Sequence, residues 1–374
     1  MPWREVTPMS ERSEFLSFAS RRELTMSALC QRYGVSRKTG YKWRRRAREF
    51  GPEGLADRSR RPHHSPLRTP PEVEAVICQL RTEHPAWGGR KLHHLLRGEG
   101  VPHPPAPATI TGILRRNGLL ALDRRPQRDW QRFEELSPNG LWQMDFKGHF
   151  ATSEGGRCHP LTILDDHSRF NLCLAACPNE RAETVQDQLT GVMQRYGLPE
   201  RMLMDNGSPW GSDAAHQHTG LTAWLIRLGV TVLHGRPYHP QTQGKEERFH
   251  RTLSVEVLAR RPSWHSLADV QRAFDVWRAV YNLRRPHEAL DHATPASRYQ
   301  PSSRPFPASL PSIEYAPGDQ VRRVQDKGRI SFRGREFRVS RGFIGQPVGL
   351  RPVGDGIWNL YYCHQKIGQV DLTC

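Results

Sequence analysis

The sequence predicts a multidomain protein in which helical modules precede an α/β domain with a mixed sheet, and a small β-barrel follows it. Helical periodicity and glycine turns dominate up to residue 121, and β-type runs alternate with helices from residue 136. Short Val, Ile, Phe and Tyr runs split by glycines fill the end of the chain. We expect domains at residues 10–55, 70–121, 136–300 and 318–374, which suits a chain of 374 residues.

Positive charge lies mostly outside the predicted α/β domain. The chain has a formal net charge of +17, of which residues 1–70 carry +9, residues 71–134 carry +3 and residues 301–374 carry +5. Residues 135–300 are neutral overall. Terminal modules with this excess are suited to neutralising phosphates around a charge-balanced core. A generally arginine-rich composition is the alternative explanation.

The first module has the pattern of a helix-turn-helix. A short helix is predicted at residues 25–33, Gly34 begins a turn, and Ser36 is placed as the N-cap of a helix over Arg37–Phe50. Apolar residues take the positions at which the two helices would pack, namely Leu29, Tyr33, Val35 and Trp43. The pattern resembles the helix-turn-helix of transposases and repressors.

The second of these helices is expected to read DNA, as recognition helices do. A basic helix that merely faces solvent is the alternative. The outward-facing candidates for DNA contact are Arg37, Lys38, Thr39, Lys42, Arg44, Arg45 and Arg46.

A second helical unit follows a Pro-rich linker at residues 52–71. Apolar spacing predicts a helix at residues 72–83, and two more helices are expected at residues 87–96 and 108–117. The unit resembles a second helix-turn-helix ahead of the next domain. A purely structural three-helix spacer remains open.

The next region, after a polar linker at residues 122–138, predicts the mixed sheet. Strands are expected at residues 141–150, 158–164 and 171–177, followed by a helix over Ala182–Tyr196 and a further strand that ends at Asp205.

Three carboxylates in this region form a candidate metal site. Asp145 lies within the first strand, Asp205 ends a strand before the turn residues Asn206-Gly207, and Glu247 lies early in a helix. Two aspartates and a glutamate can hold two divalent ions about 3.5–4 Å apart, which suits phosphoryl transfer. Asp165 and Asp166 also end a strand, where turn formation is the favoured interpretation and ligation the alternative.

The strings around these carboxylates resemble the catalytic core of retroviral-type integrases and bacterial insertion-sequence transposases. They are WQMDF at Asp145, MDNGSPW at Asp205 and PYHPQTQGKEERFHRTL at Glu247, and YNLRRPHEAL and TPASRY resemble the segment that follows this core. The resemblance covers roughly residues 136–299 and implies an RNase H-like fold with an Asp-Asp-Glu triad. The 42 positions from Asp205 to Glu247 exceed the retroviral interval, so residues 211–220 are expected to be an insertion.

The resemblance also implies a reaction and its partners. A transposase of this type would bind the ends of a mobile DNA element, cleave 3′ ends and transfer them to target double-stranded DNA. It would use two Mg²⁺ ions, with Mn²⁺ as a substitute, and would act as a dimer or higher homo-oligomer in a synaptic complex. A DNA-binding regulator without activity and a nuclease that does not join ends are the alternatives. The further expected DNA contacts around the glutamate are Tyr238, Gln243, Lys245, Arg248 and Arg251.

Two neighbouring glutamates have to be distinguished. The integrase pattern Gln-Gly-x-x-Glu selects Glu247, and adjacent helical side chains point about 100° apart. Glu246 is therefore expected to be a solvated acid near the helix N-terminus. His250 and Arg251 lie beside Glu247 at helical spacing, where they could hold a DNA strand.

The remaining patterns concern the C-terminal module and the location of the protein. The predicted barrel follows a linker at residues 301–317 and resembles the SH3-like module of integrases. Its arginines at 333, 335, 338 and 341 would touch DNA or simply solubilise the surface. Seven cysteines without a C-x-x-C pair fit a reducing cytoplasm, and Cys173 and Cys177 are expected in the core. We expect no membrane segment or signal peptide.

Overall fold

The protein forms two compact units, Met1–Arg68 and Thr69–Cys374. The computed structural model describes residues 7–59, 68–120, 134–211, 218–235 and 244–373. Among these described residues, no helix is long and apolar enough to cross a membrane.

The first unit is a small helical domain. It contains α1 (Pro8–Arg21), α2 (Met26–Arg32) and α3 (Arg37–Phe50). The Ser36 side chain accepts a hydrogen bond from the Thr39 backbone N–H, so the predicted N-cap of α3 is confirmed. The helices meet where α3 has no side chain, because a Cβ at Gly40 would lie 2.5 Å from Cys30 Sγ. The predicted pair of helices is confirmed, while α1 was not anticipated.

The second unit begins with the three predicted helices. They are α4 (Pro71–Glu83), α5 (Gly89–Gly98) and α6 (Pro107–Arg116), which enclose a core that includes Trp87 and Ile110. Close packing of α5 on α6 depends on Gly89, because a Cβ there would lie 2.4 Å from the Pro107 carbonyl oxygen.

A six-stranded mixed sheet forms the centre of this unit. Its strands are β1 (Leu141–Phe146), β2 (Phe150–Ala151), β3 (Arg157–Asp165), β4 (Asn171–Cys177), β5 (Arg201–Met204) and β6 (Thr231–His234). Strand β1 runs antiparallel to β3 and parallel to β5, and β5 runs parallel to β6. The mixed sheet is confirmed, although the first predicted strand is interrupted between Phe146 and Phe150.

Helices cover both faces of the sheet. They are α7 (Ala182–Tyr196), α8 (Gly220–Arg227), α9 (Gly244–Glu256), α10 (Leu267–Leu283) and the short α11 (Pro295–Arg298). Trp142 and Met144 of β1 belong to the core that contains α7 and α8. The intervening positions of β1 therefore point toward the opposite face, which α9 and α10 cover.

The three helices α4 to α6 contact the helical layer of the core. Arg260 donates to the Glu83 backbone carbonyl across 2.8 Å, and Arg284 contacts the Glu99 carboxylate across 2.5 Å. Val280 of α10 packs against the apolar cluster of the three helices. This part of the chain is thus attached to the core by polar and apolar contacts.

The segment at residues 301–317 is not the free linker that its Pro and Ser content predicted. Arg304 donates to the backbone carbonyls of Pro199 and Gly229, and its own carbonyl accepts from the Leu198 N–H. These bonds fix the segment along the edge of the core because they satisfy loop carbonyls that would otherwise need water.

The C-terminal strands form an open arrangement. An antiparallel sheet contains β7 (Gln320–Arg323), β10 (Pro347–Gly354), β11 (Ile357–Tyr362) and β12 (Gln365–Asp371), and a separate hairpin contains β8 (Arg329–Phe332) and β9 (Arg335–Arg338). Among the described residues we find no closed barrel, so the predicted SH3-like closure is not confirmed. The Gln365 amide pairs with both backbone groups of Val232, which joins this sheet to β6.

Candidate metal centre and nucleic-acid interface

Asp145 lies on β1, on the face of the sheet that α9 covers. Burial is the main reason that its pKa is raised to about 7, and the nearby charge of Asp205 is the next. Glu180 and Glu247 raise it further, while the Phe146 N–H, which donates to the carboxylate across 2.9 Å, opposes the shift. The charges of several carboxylates therefore act on the partly buried Asp145, and a divalent cation nearby would offset them.

Asp205 follows β5 and is held by its own turn. The Gly207 N–H donates to Oδ1 across 2.9 Å, and the indole N–H of Trp210 donates to the same oxygen. The register of β1 and β5 pairs Gln143 with Leu203, so two residues further along both strands Asp145 comes level with Asp205. The sheet thus brings together the two aspartates that the sequence motifs selected.

Trp210 was missed by sequence reasoning, although its place in the MDNGSPW string was the available signal. Its ring is stacked on Phe146, with the centroids 5.4 Å apart and the planes 16° apart. Because Phe146 follows Asp145 directly, this one indole connects the strand of Asp145 with the turn of Asp205.

The two glutamates of α9 have different surroundings. Glu247 is exposed, and its charge is close enough to raise the pKa of Asp145. Glu246 is fully buried, and its Oε2 lies 3.0 Å from Thr162 Oγ1. Burial and the Asp145 charge raise the pKa of Glu246 well above its ordinary value. The expectation that Glu246 is a solvated acid was therefore wrong, because α9 packs on the sheet with this side chain in contact with β3.

Thr162 and His250 complete a buried polar network behind the aspartate. Thr162 Oγ1 lies 3.0 Å from the Asp145 backbone carbonyl and 2.8 Å from His250 Nε2. The hydroxyl has a single proton, so when it donates to the carbonyl, protonated Glu246 and the Nε2–H tautomer of His250 can both donate to it. Burial lowers the pKa of His250 to about 4, which keeps the imidazole neutral near pH 7. The network joins α9 to β1 and β3.

Asp166 belongs to the structure of the core. Its side chain is fully buried and accepts hydrogen bonds from the Gln143 amide across 2.6 Å and from the Glu135 N–H across 2.9 Å. The Lys245 ammonium also contacts this carboxylate. Lys245 is therefore directed into the protein, which contradicts its expected DNA contact, since a buried carboxylate requires a counter-charge.

Asp165 has the turn function that its position suggested. Its Oδ1 accepts from the Ser168 N–H across 2.7 Å and from the Ser168 hydroxyl across 2.5 Å. Its Oδ2 accepts from the Asn139 N–H across 2.7 Å. These hydrogen bonds use the lone pairs of the carboxylate and stabilise the turn between β3 and β4.

Some basic side chains of α3 are exposed, and others contact the rest of the domain. Arg46 donates to the Ala56 carbonyl across 2.7 Å and lies over the Trp43 ring, so it does not face outward as expected. Thr39 is half-buried, and its hydroxyl lies 3.0 Å from that of Ser36. The basic side chains that remain exposed on this helix include Arg37, Lys38, Lys42, Arg44 and Arg45.

Near the carboxylates, Arg248 and Arg251 are exposed on α9. Tyr238 and Gln243 lie outside the described residues, as do residues 212–217 of the expected insertion. The four arginines of the C-terminal module are exposed, and Arg333 lies over the Trp358 ring at 5.0 Å.

Family models match the helical units, the α/β core and the C-terminal strands. An integrase core domain matches residues 135–240, and a second integrase core model matches residues 228–295. A helix-turn-helix domain matches residues 11–63, and a homeodomain-like domain matches residues 39–114. The C-terminal domain of the IS481 family transposases matches residues 319–374.

Similar proteins include two from bacterial insertion elements. The insertion element IS407 31.7 kDa protein of Burkholderia multivorans is 28% identical over 233 residues, which cover 60% of this chain and 79% of the relative. The insertion element IS476 39.2 kDa protein of Xanthomonas euvesicatoria is 28% identical over 239 residues, covering 62% of this chain. This chain spans 66% of the length of that second relative.

Among solved structures, a chain of the simian T-cell lymphotropic virus intasome in complex with PP2A regulatory subunit B56 gamma is similar at 16% identity. Its TM-score is 0.37, and the likeness covers 79% of this chain and 99% of that chain. The matched domains occur along the chain in the order helix-turn-helix domains, integrase core and IS481-type transposase C-terminal domain, and the similar proteins include two from bacterial insertion elements.

Proposed function

We propose that this transposase cleaves the 3′ ends of a mobile DNA element and transfers them to target DNA, with Asp145, Asp205 and Glu247 as its catalytic triad. The observation that carries the proposal is the register of β1 and β5, which brings Asp205 level with Asp145, and the charges of Asp205 and Glu247 add to burial in raising the pKa of Asp145. Functional sites are where such perturbed groups concentrate.

The donor set suits magnesium. Carboxylate oxygens are the ligands that Mg²⁺ prefers, and a cation would offset both the burial and the carboxylate repulsion that raise the pKa of Asp145. We propose two Mg²⁺ ions, with Mn²⁺ as a substitute, held by the three triad carboxylates. Bound ions of this kind stabilise the attacking and leaving oxygens of phosphodiester cleavage.

The surrounding residues position the triad. Gly207 and Trp210 orient the Asp205 carboxylate, and Thr162 fixes the backbone of Asp145 through its carbonyl. Neutral His250 adds no charge to the site while it holds α9 in place. Such support keeps carboxylates in a fixed geometry before the substrate arrives.

DNA would be bound by several parts of the protein. The exposed basic side chains of α3 would contact an element end, and Arg248 and Arg251 would hold the strand beside Glu247. The three helices α4 to α6 and the C-terminal strands would be two further domains of the transposase, one before and one after the catalytic core. Two ends must be brought together, so we propose at least a dimer in a synaptic complex, working in the cytoplasm.

A matched pair of variants tests the assignment. Glu247→Gln should eliminate cleavage and strand transfer of labelled DNA ends in Mg²⁺, because it removes a metal ligand. Glu246→Gln should keep most activity, because a neutral amide replaces a carboxyl whose raised pKa already favours its neutral form. Gel shifts should show that both variants still bind element ends.

The opposite pattern, an active Glu247→Gln protein beside an inactive Glu246→Gln protein, would overturn the assignment. A wild-type protein that cuts ends without joining them would instead identify a nuclease. Binding without either reaction, in both Mg²⁺ and Mn²⁺, would identify a regulator.

A further inference from the structure

A second cluster of potential metal ligands lies apart from the triad, where β2, β3 and the β4–α7 connection meet. It consists of His149, His159 and Glu180, each of which offers one ligand atom, and these atoms all lie within 4.8 Å of one another. His149 directly precedes β2, His159 lies on β3, and Glu180 follows β4. Three separate stretches of chain therefore deliver two imidazoles and a carboxylate to one place.

The partners within the cluster are already close. His159 Nδ1 lies 2.8 Å from Glu180 Oε1, and the two imidazole rings have centroids 5.1 Å apart. His159 and Glu180 are half-buried, while His149 is exposed. The fold thus orders the His159–Glu180 pair, and the exposed His149 ring lies beside it.

We propose that these three side chains bind one divalent transition-metal ion, which by ligand chemistry is Zn²⁺. Two histidines and one glutamate are a known protein ligand set for zinc that leaves a position open to water. Zinc bonds of about 2.0–2.2 Å place tetrahedral ligand atoms roughly 3.4 Å apart. The distances from His149 to the other two ligand atoms, at most 4.8 Å, have to shorten by up to about 1.4 Å, which rotation of the exposed His149 ring can supply, while the 2.8 Å His159–Glu180 separation opens slightly.

Arg157 is the group that opposes an ion here. Its guanidinium contacts His149 Nε2, and because arginine cannot accept, that nitrogen presents its lone pair to Arg157. A metal ligand has to present such a lone pair to the ion. Arg157 is exposed and can leave the cluster, but its charge disfavours a dication, so its removal should strengthen binding.

The cluster also differs chemically from the triad. Nitrogen ligands suit zinc, whereas magnesium prefers an all-oxygen site. Glu180 is close enough to Asp145 to raise its pKa, so an ion in the cluster would lie near the catalytic carboxylates. The bound ion would connect residues 147–149, which follow β1 and the triad aspartate, to the start of α7.

The test is zinc binding to the full-length protein without an affinity tag, measured by competition with a chromophoric chelator in excess Mg²⁺. The wild-type protein should bind one equivalent of Zn²⁺, and this should raise its unfolding temperature. His159→Ala and Glu180→Gln should each weaken the affinity by at least about tenfold, since even supporting groups cost that much. Arg157→Gln should strengthen it.

Two variants serve as controls. His265→Ala removes an exposed histidine that is paired with Glu154 across 3.2 Å and should leave zinc binding unchanged. Asp145→Asn should keep the zinc equivalent, which separates the cluster from the triad. Equal zinc affinity in wild type, His159→Ala and Glu180→Gln would overturn the proposal, and so would loss of the equivalent in Asp145→Asn alone. A fall in stability without any change in zinc response would also refute it, by showing only a His159–Glu180 hydrogen bond.

Discussion

Asp145→Asn should make the metal-free protein more stable near pH 8, although it removes a triad residue. Burial and neighbouring carboxylates raise the pKa of Asp145 to about 7, from an ordinary value of 3.8. A raised pKa means that the folded protein binds the proton more tightly than the unfolded chain does. Ionised Asp145 therefore opposes folding, and asparagine has the same shape without the charge.

The size of the effect follows from the pKa difference. Roughly three pKa units at about 1.4 kcal/mol each give an upper limit of about 4 kcal/mol. The side chain keeps 25% of its exposure, so we expect the measured gain to be about 2–3 kcal/mol. The destabilisation of the folded wild-type protein by ionised Asp145 is absent below pH 3.8, grows between pH 3.8 and 7, and is constant above pH 7.

Urea unfolding followed by tryptophan fluorescence, in EDTA and at several pH values from 4.5 to 8, measures this dependence. Asp187→Asn, which changes an exposed aspartate on α7, is the matched control and should stay within about 0.5 kcal/mol at every pH. Saturating Mg²⁺ should stabilise the wild type more than Asp145→Asn and so narrow the difference. A difference between the two proteins that does not vary with pH would refute the argument, since a neutral asparagine would then be relieving no charge.

Three further predictions concern DNA binding, the stability of the first helical domain and the buried interior. Replacing both Arg44 and Arg45 by alanine should weaken binding to element ends and reduce the log–log salt slope by about 0.9 for each lost phosphate contact. Arg46→Ala should instead lower the free energy of unfolding by about 1 kcal/mol, because its guanidinium donates to a backbone carbonyl; an altered salt slope with full stability would contradict this. Trp277→Phe should cost about 1.5–3 kcal/mol in urea unfolding, because it removes the indole N–H that donates to buried Glu256 across 2.7 Å. An unchanged midpoint would show that Glu256 finds another donor.

The sequence alone determined those elements whose signals are local. The Ser36 cap and the helix over Ala182–Tyr196 were each marked by a capping residue or by apolar spacing within one turn. The triad candidates were also marked locally, since short strings surround each carboxylate. Such features depend on neighbours a few residues away, which the sequence displays directly.

Only the tertiary structure decided which side of α9 would be buried. Glu246 and Lys245 are both charged, and local rules predict that both are exposed. In the structure Glu246 contacts Thr162, which lies 84 positions away, and Lys245 contacts Asp166, which lies 79 positions away. The same is true of Arg304, whose bonds to distant loop carbonyls turn a predicted linker into part of the core. The physical reason is that burial of a charge depends on whether a partner is available there, and partners distant in sequence are set only by the packing of the whole unit.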